Sequence, residues 1–144
     1  MGRRRFHNAD SKRYIDWIEA SYTDLLCVQA LMENEDLFEP CAFHCQQCAE
    51  KALKAYVLYQ DHRLLDGHNL TWLCKQTIRI NESFKEWLDE SSALNRFYIE
   101  TRYPTDVQDH IDKKTILKSY KMAKNLFHFV AKALKVHFIN DPYL

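Results

Sequence analysis

The stretch 39–56, "EPCAFHCQQCAEKALKAY", decides how the rest of the chain is read. Cys41, Cys45 and Cys48 stand as Cys-x-x-x-Cys-x-x-Cys, an order that can hold an iron–sulfur cluster, with His44 among them as a further donor. A cluster of that kind needs its cysteines on a loop inside a large barrel, and a chain of 144 residues is too short to supply one. A helix fits better. At about 100° per residue, positions 41, 44, 45, 48, 52 and 55 share one face, with Ala49, Ala52 and Ala55 beside the cysteines. Gln47, Glu50, Lys51 and Lys54 fall on the other side. A straight helix fans its side chains outward and cannot close a tetrahedral zinc site alone. The thiols are therefore read as small packing groups, His44 as a hydrogen-bonded core residue, and no metal ligand is assigned.

Composition supports a helical reading. The chain has 47% hydrophobic and 28% charged residues, the balance of a folded domain, with only 2 glycines and 3 prolines. Tight hairpins and glycine-rich phosphate loops both need more turn residues than that. The 20 basic and 20 acidic residues cancel, so contact with nucleic acid requires a local basic patch. Five cysteines, an odd count, suggest no disulfide framework. No apolar run reaches a membrane span and no export signal is visible, which points to the reducing cytoplasm.

Working outward along the chain, 1–10 contains the basic cluster "MGRRRF" and reads as a flexible tail, as does 139–144. A helical domain is expected over 11–138. Its first helix covers 11–33, capped by Asp10 or Ser11. The second begins near Pro40 and runs to about Tyr59. After the Asp66-Gly67 turn, a third spans about Leu70 to Ile80. The next carries Phe84, Trp87, Leu88, Leu94, Phe97 and Tyr98, with a bend at Ser91-Ser92, and stops near Tyr103 because Pro104 follows. The last helix has an apolar stripe from Ile116 to His137, with its lysines mostly opposite. Trp17, Trp72 and Trp87 fall beside apolar residues and are expected in the core. The fold class is all-α, an antiparallel up-down bundle of four to five helices.

The segments "AFHCQQCAEKALKAYVL" (42–58), "GHNLTWL" (67–73) and "YIETRYP" (98–104) together resemble the HEPN family, the nucleotide-binding domain of higher eukaryotes and prokaryotes. The likeness extends over 13 to about 135, and the closing Arg-Tyr-Pro is similar to one branch of the family. It implies a helical bundle that forms a homodimer and is often paired with a minimal nucleotidyltransferase, in the manner of a toxin–antitoxin pair. Several relatives are metal-independent ribonucleases that use an Arg and a His about four to six residues apart. This sequence departs from that pattern. Arg102 is present, Val107 and Asp109 stand where a histidine is expected, and His110 lies one position beyond the window. The Arg63–His68 pair fits the count but sits on a turn.

Cleaving RNA without metal requires a base for the 2′-hydroxyl proton and a cation for the developing phosphorane charge. Arg102 and His110 are the catalytic candidates for that alternative. The preferred reading is a nucleotide- or RNA-binding module. Arg102 would grip phosphate, Tyr103 would stack on a base, and Gln47, Lys51, Lys54 and His68 would line the groove. The competing reading of Gln47, Lys51 and Lys54 is a solvated face with a Glu50–Lys54 pair one turn apart; that of His68 is a stabilising contact at a helix start. No cofactor beyond a nucleotide ligand is expected. A third alternative is a structural interaction module without a ligand.

Overall fold

The computed structural model describes residues 9–100 and 111–138, with side chains at 99 and 100 excepted. The two expected tails, 1–10 and 139–144, fall almost wholly outside these. All regular structure among the described residues is helical. It comprises α1 (Tyr14–Leu31), a 3-10 turn (Glu35–Leu37), α2 (Phe38–Asp61), α3 (Leu70–Ile80), a second 3-10 turn (Glu82–Trp87), α4 (Leu88–Asn95), α5 (Phe97–Glu100) and α6 (Lys113–Ala133).

The caps explain most of the boundaries. Ser11 stands just upstream of α1: its hydroxyl donates to Asp16 Oδ2 (2.7 Å) and accepts from the Arg13 amide (3.0 Å). The Ser11 carbonyl accepts from Trp17 Nε1 at 2.8 Å, so the entry to α1 is fastened before the helix begins. Pro40 lies within the first turn of α2, where a missing N–H is tolerated. Asn69, Asn81 and Asp112 accept from backbone amides at the starts of α3, the second 3-10 turn and α6. Lys135, at φ 58°, ends α6. Its left-handed conformation lets the Val136 amide reach the Ala131 carbonyl at 3.0 Å. His137, expected on the buried stripe, therefore lies beyond the helix and is exposed. The segment after Ile80 does not bend at Ser91-Ser92. Ser91 is buried within α4, and the breaks fall at Trp87 and Arg96.

α2 occupies the centre and is buried along almost its whole length. α1 runs antiparallel to it: Tyr14 meets Tyr59 edge-on at 5.0 Å, while the Cys41 thiol lies 3.7 Å from the Val28 carbonyl. α6 is antiparallel to α1, with Gln29 Nε2 donating to the Tyr120 hydroxyl (3.1 Å) and Tyr22 against Phe127 (5.7 Å). The connection 62–69 returns along α2 instead of turning at its end, so α3 travels in the same sense as α2. Its start meets Glu50 through His68, and Asn81 at its far end donates to the Tyr56 hydroxyl at 3.2 Å. The segment 82–100 comes back antiparallel to α3; Asn95 Oδ1 accepts from the Leu70 amide at 2.7 Å. The chain is thus the expected all-α bundle, but two neighbouring pairs, α2 with α3 and α2 with α6, run parallel and depart from strict alternation.

Ile18, Leu25, Leu53, Leu73, Phe84, Phe97 and Phe127 fill the core. Trp17 and Trp87 pack against it, half-buried. Trp72 corrects the expectation made for all three tryptophans. It is 44% exposed, because α3 turns Leu70, Leu73, Cys74 and Thr77 inward and leaves position 72 on the outer face. No helix among the described residues is long and apolar enough to cross a membrane.

Candidate functional site

The two faces of α2 meet different neighbours. On the thiol face, Cys41, Cys45 and Cys48 are fully buried against α1 and α6. The Cys48 thiol lies 3.4 Å from the Ser21 hydroxyl, and Ser21 donates to the Cys48 carbonyl at 2.7 Å. Burial pushes the Cys48 thiol up to about 12. A hydrogen bond with Cys41, reinforced by burial, raises Cys45 well above the ordinary thiol range. The form that binds metals or attacks electrophiles, the thiolate, is thereby disfavoured at both positions. Among the described residues no group of three or more His, Cys, Asp or Glu side chains is placed to hold a metal ion.

The opposite face is where the polar residues converge, and it corrects the expectation of a solvated strip. Glu50 is 2% exposed and Lys54 5% exposed. The Glu50 carboxylate accepts from Lys54 Nζ at 3.2 Å, from Gln46 Nε2 at 3.3 Å and from Gln47 Nε2 at 3.3 Å. His68 Nδ1 lies 3.0 and 3.1 Å from its two oxygens. Gln46 Nε2 also donates to the His68 carbonyl at 3.1 Å, so the connection 62–69 is held to α2 by both backbone and side chain. Lys54 Nζ additionally sits 5.5 Å from the centre of the Trp17 ring. The expected pairing of Glu50 with Lys54 is present, but beneath the surface. Such a pair is tolerated only because several donors satisfy the carboxylate.

A second cluster lies on the α1 side. Asp24, 5% exposed, accepts from Lys51 Nζ at 2.7 Å, and its other oxygen lies 2.8 Å from His44 Nδ1. Both partners keep part of their side chain in solvent, 26% for Lys51 and 29% for His44. His44 is thus hydrogen-bonded as expected, at the rim and not deep in the core. Asp24, Gln46 and Glu50 are not among the expected site residues, although they anchor the whole arrangement. The visible signal is the carboxylate one turn before Lys54; nothing in the spacing reveals that Asp24 reaches across from α1.

What reaches solvent is a narrow band. His68 is 49% exposed and its ring stacks on Tyr98 at 4.3 Å with planes 14° apart. Phe43 lies 6.2 Å from the same tyrosine. Gln47 and Lys51 are half-buried beside them. The structure thus gathers Gln47, Lys51, Lys54 and His68 around one helix face, with Lys54 enclosed. Arg102, Tyr103 and His110 lie outside the described residues.

The described residues form an all-helical bundle around one central helix, and that is the class of protein the fold defines. The family model described as "HEPN domain" matches residues 14–134, and the chain belongs to that family. Among solved structures it is similar to TT1696 from Thermus thermophilus at 24% identity, with a TM-score of 0.72, covering 85% of this chain and 98% of that one. It is likewise similar to ST0689, described as an archaeal HEPN homologue, at 23% identity and a TM-score of 0.69, with the same coverage. These two likenesses speak to the fold. A search of the curated proteins finds no match.

Proposed function

We propose that this HEPN-domain chain is a nucleotide- or RNA-binding module that forms a homodimer in the cytoplasm and works with a minimal nucleotidyltransferase, as in a toxin–antitoxin pair. The observation that carries the binding reading is the stacked His68–Tyr98 pair, anchored on the buried Glu50 carboxylate beside half-exposed Lys51 and Gln47. Aromatic rings fixed next to a cation and an amide suit a base and its phosphate. In this reading His68, Gln47 and Lys51 contact the ligand, and Arg102 and Tyr103 add a phosphate clamp and a second ring. Lys54 and Glu50 act from beneath by fixing His68. A phosphate would draw Lys51 away from Asp24, leaving His44 as the remaining partner of that carboxylate.

The test is a calorimetric and NMR titration of the purified chain with ATP, AMP and short RNA. Saturable binding, weakened in Lys51→Ala and His68→Ala, is expected. Absence of any saturable heat or chemical-shift change at millimolar ligand would leave a structural interaction module instead. Incubation with mixed RNA in EDTA is the accompanying control. Cleavage lost in both Arg102→Ala and His110→Ala would replace binding by ribonuclease action.

A further inference from the structure

The exposed side of α3 continues the band that begins at His68. Lys75, Gln76 and Arg79 lie three, four and seven residues after Trp72 on α3, so the four share a face, and His68 stands just ahead of the helix. Trp72, Lys75 and Arg79 are exposed on it, and Gln76 is half-buried. α3 carries no acidic residue in its sequence "LTWLCKQTIRI", so its two cations stand against a chain with zero net charge. Neither Lys75 nor Arg79 forms an ion pair among the described residues. At the far end of this face a cavity of about 390 Å³ opens between α3 and the end of α2, lined by Asp61, Arg63, Gln76, Arg79 and Ile80. Two arginines thus flank one concavity, and the single carboxylate there, Asp61, lies 3.1 Å from Arg63.

We infer that this face is a track for single-stranded RNA, leading from the His68–Tyr98 stack along α3 to the Arg63–Arg79 cavity. The inference rests on the nucleotide- or RNA-binding reading above and gives that site its direction and its substrate class. Trp72 offers an uncovered indole on which a base stacks regardless of sequence. Lys75 supplies a point charge to the backbone, and the two guanidinium groups fork onto phosphate oxygens. From Trp72 to Arg79 the helix rises about 10 Å, close to the length of three stacked nucleotides. A double helix suits the face poorly, since its bases are already stacked and cannot take up the indole. A folded protein partner would cover Trp72 but would leave both arginines to find carboxylates in matching places. Charge complementarity therefore favours the polyanion.

The experiment measures binding of a fluorescently labelled ten-nucleotide uridine RNA by anisotropy at several salt concentrations. Wild type is compared with Trp72→Ala, Arg79→Glu, Arg63→Glu and His68→Ala, with the assembly state of each followed by light scattering. All four side chains are substantially exposed, and circular dichroism confirms that each variant is folded. Trp72→Ala is expected to weaken binding about tenfold. Arg79→Glu is expected to weaken it and also to flatten the dependence of affinity on salt, as the loss of a phosphate contact does. RNA binding unchanged in Trp72→Ala and Arg79→Glu but lost in His68→Ala would overturn the track and leave the nucleotide site standing. The same division follows if mononucleotides bind as tightly as the ten-mer. Wild type that binds neither removes both ideas. A Trp72→Ala protein that becomes monomeric while keeping its RNA affinity would reassign the face to contact between copies of the chain.

Discussion

On one face of α2, Cys41, Cys45 and Cys48 reach α1 and α6 through their thiols; on the other, Glu50 and Lys54 are buried almost as deeply, as an acid and an amine. The first face chiefly needs volume to be filled, and its polar contacts are few: the Ser21 hydroxyl and backbone carbonyls of α1 and α6. The second needs partners, and each is a specific atom: Gln46 and Gln47 amides, the His68 ring, the Trp17 face. The thiol face therefore sets how closely the helices approach. The polar face fixes where the connection 62–69 lies, and with it the outward direction of His68 and the start of α3. On the binding reading proposed above, ligand affinity and stability are tied together on that second face.

The sharpest way to break this contrast is Glu50→Ala. It strands Lys54 beneath the surface and removes the anchor of His68, and a loss of about 3–5 kcal/mol is expected in urea denaturation. Glu50→Leu with Lys54→Met removes both members of the pair, and most of that loss should return. A double variant as unstable as the single one would show that the hydrogen bonds to Gln46, Gln47 and His68 carry the face, not the isolated amine. In either case nucleotide affinity should fall, because His68 no longer has its support.

Asp24→Ala comes next, with an expected cost of about 2 kcal/mol, as for a buried carboxylate that loses charged hydrogen-bond partners. Lys51 and His44 are partly solvated and can turn to water, which keeps the effect below that of Glu50→Ala. A chevron or urea midpoint equal to wild type would mean that the 2.7 and 2.8 Å contacts add nothing beyond what water supplies.

The thiol face should respond more gently at neutral pH. Cys48→Ala removes one sulfur from a packed site at about 1 kcal/mol. Its pH dependence is the more telling measurement. The folded thiol is raised to about 12, against 9.0 as the ordinary value, so the folded chain holds its proton more tightly than the unfolded one. The associated stability is complete below pH 9 and declines as pH climbs from about 9 towards about 12. Cys48→Ala should flatten that decline. With a thiol reagent at neutral pH, half-buried Cys27 should react ahead of the four buried cysteines.

The legible parts of the chain are those in which one residue type implies one environment. Alternating apolar positions place α2 and α6, and the boundaries of α3, Leu70 to Ile80, follow from Asn69 and Asn81 as flanking caps. Cysteines among alanines on a helix announce close packing, and the structure buries all three. Glu50 and Lys54 resist the same treatment, because an acid and a lysine four residues apart usually describe a solvated surface. Only the tertiary arrangement, Trp17 from α1 on one side and the returning connection 62–69 on the other, makes them interior. Asp24 escapes for the same reason: its partners lie on α2, at a separation in sequence that no helical period encodes. The parallel course of α2 and α3 is equally hidden, since the connection between them gives no sign of which way it folds back.

Trp72 supplies the smallest expected effect and separates two explanations of its position. If the indole were a displaced part of the core, its removal would cost several kcal/mol, as for other large aromatic side chains. With nearly half its surface in solvent, on the side of α3 away from fully buried Leu73, Trp72→Ala should change the unfolding free energy measured in urea by less than about 1 kcal/mol. A neutral effect on folding joined to weaker RNA binding would mean that the exposed indole is kept for contact rather than for packing. A large loss of stability would instead place Trp72 with the residues that build the bundle, and the outer face of α3 would lose its aromatic station. The comparison with α2 then becomes quantitative: side chains on Glu50's face should act on folding and binding together, whereas Trp72 should act on binding alone.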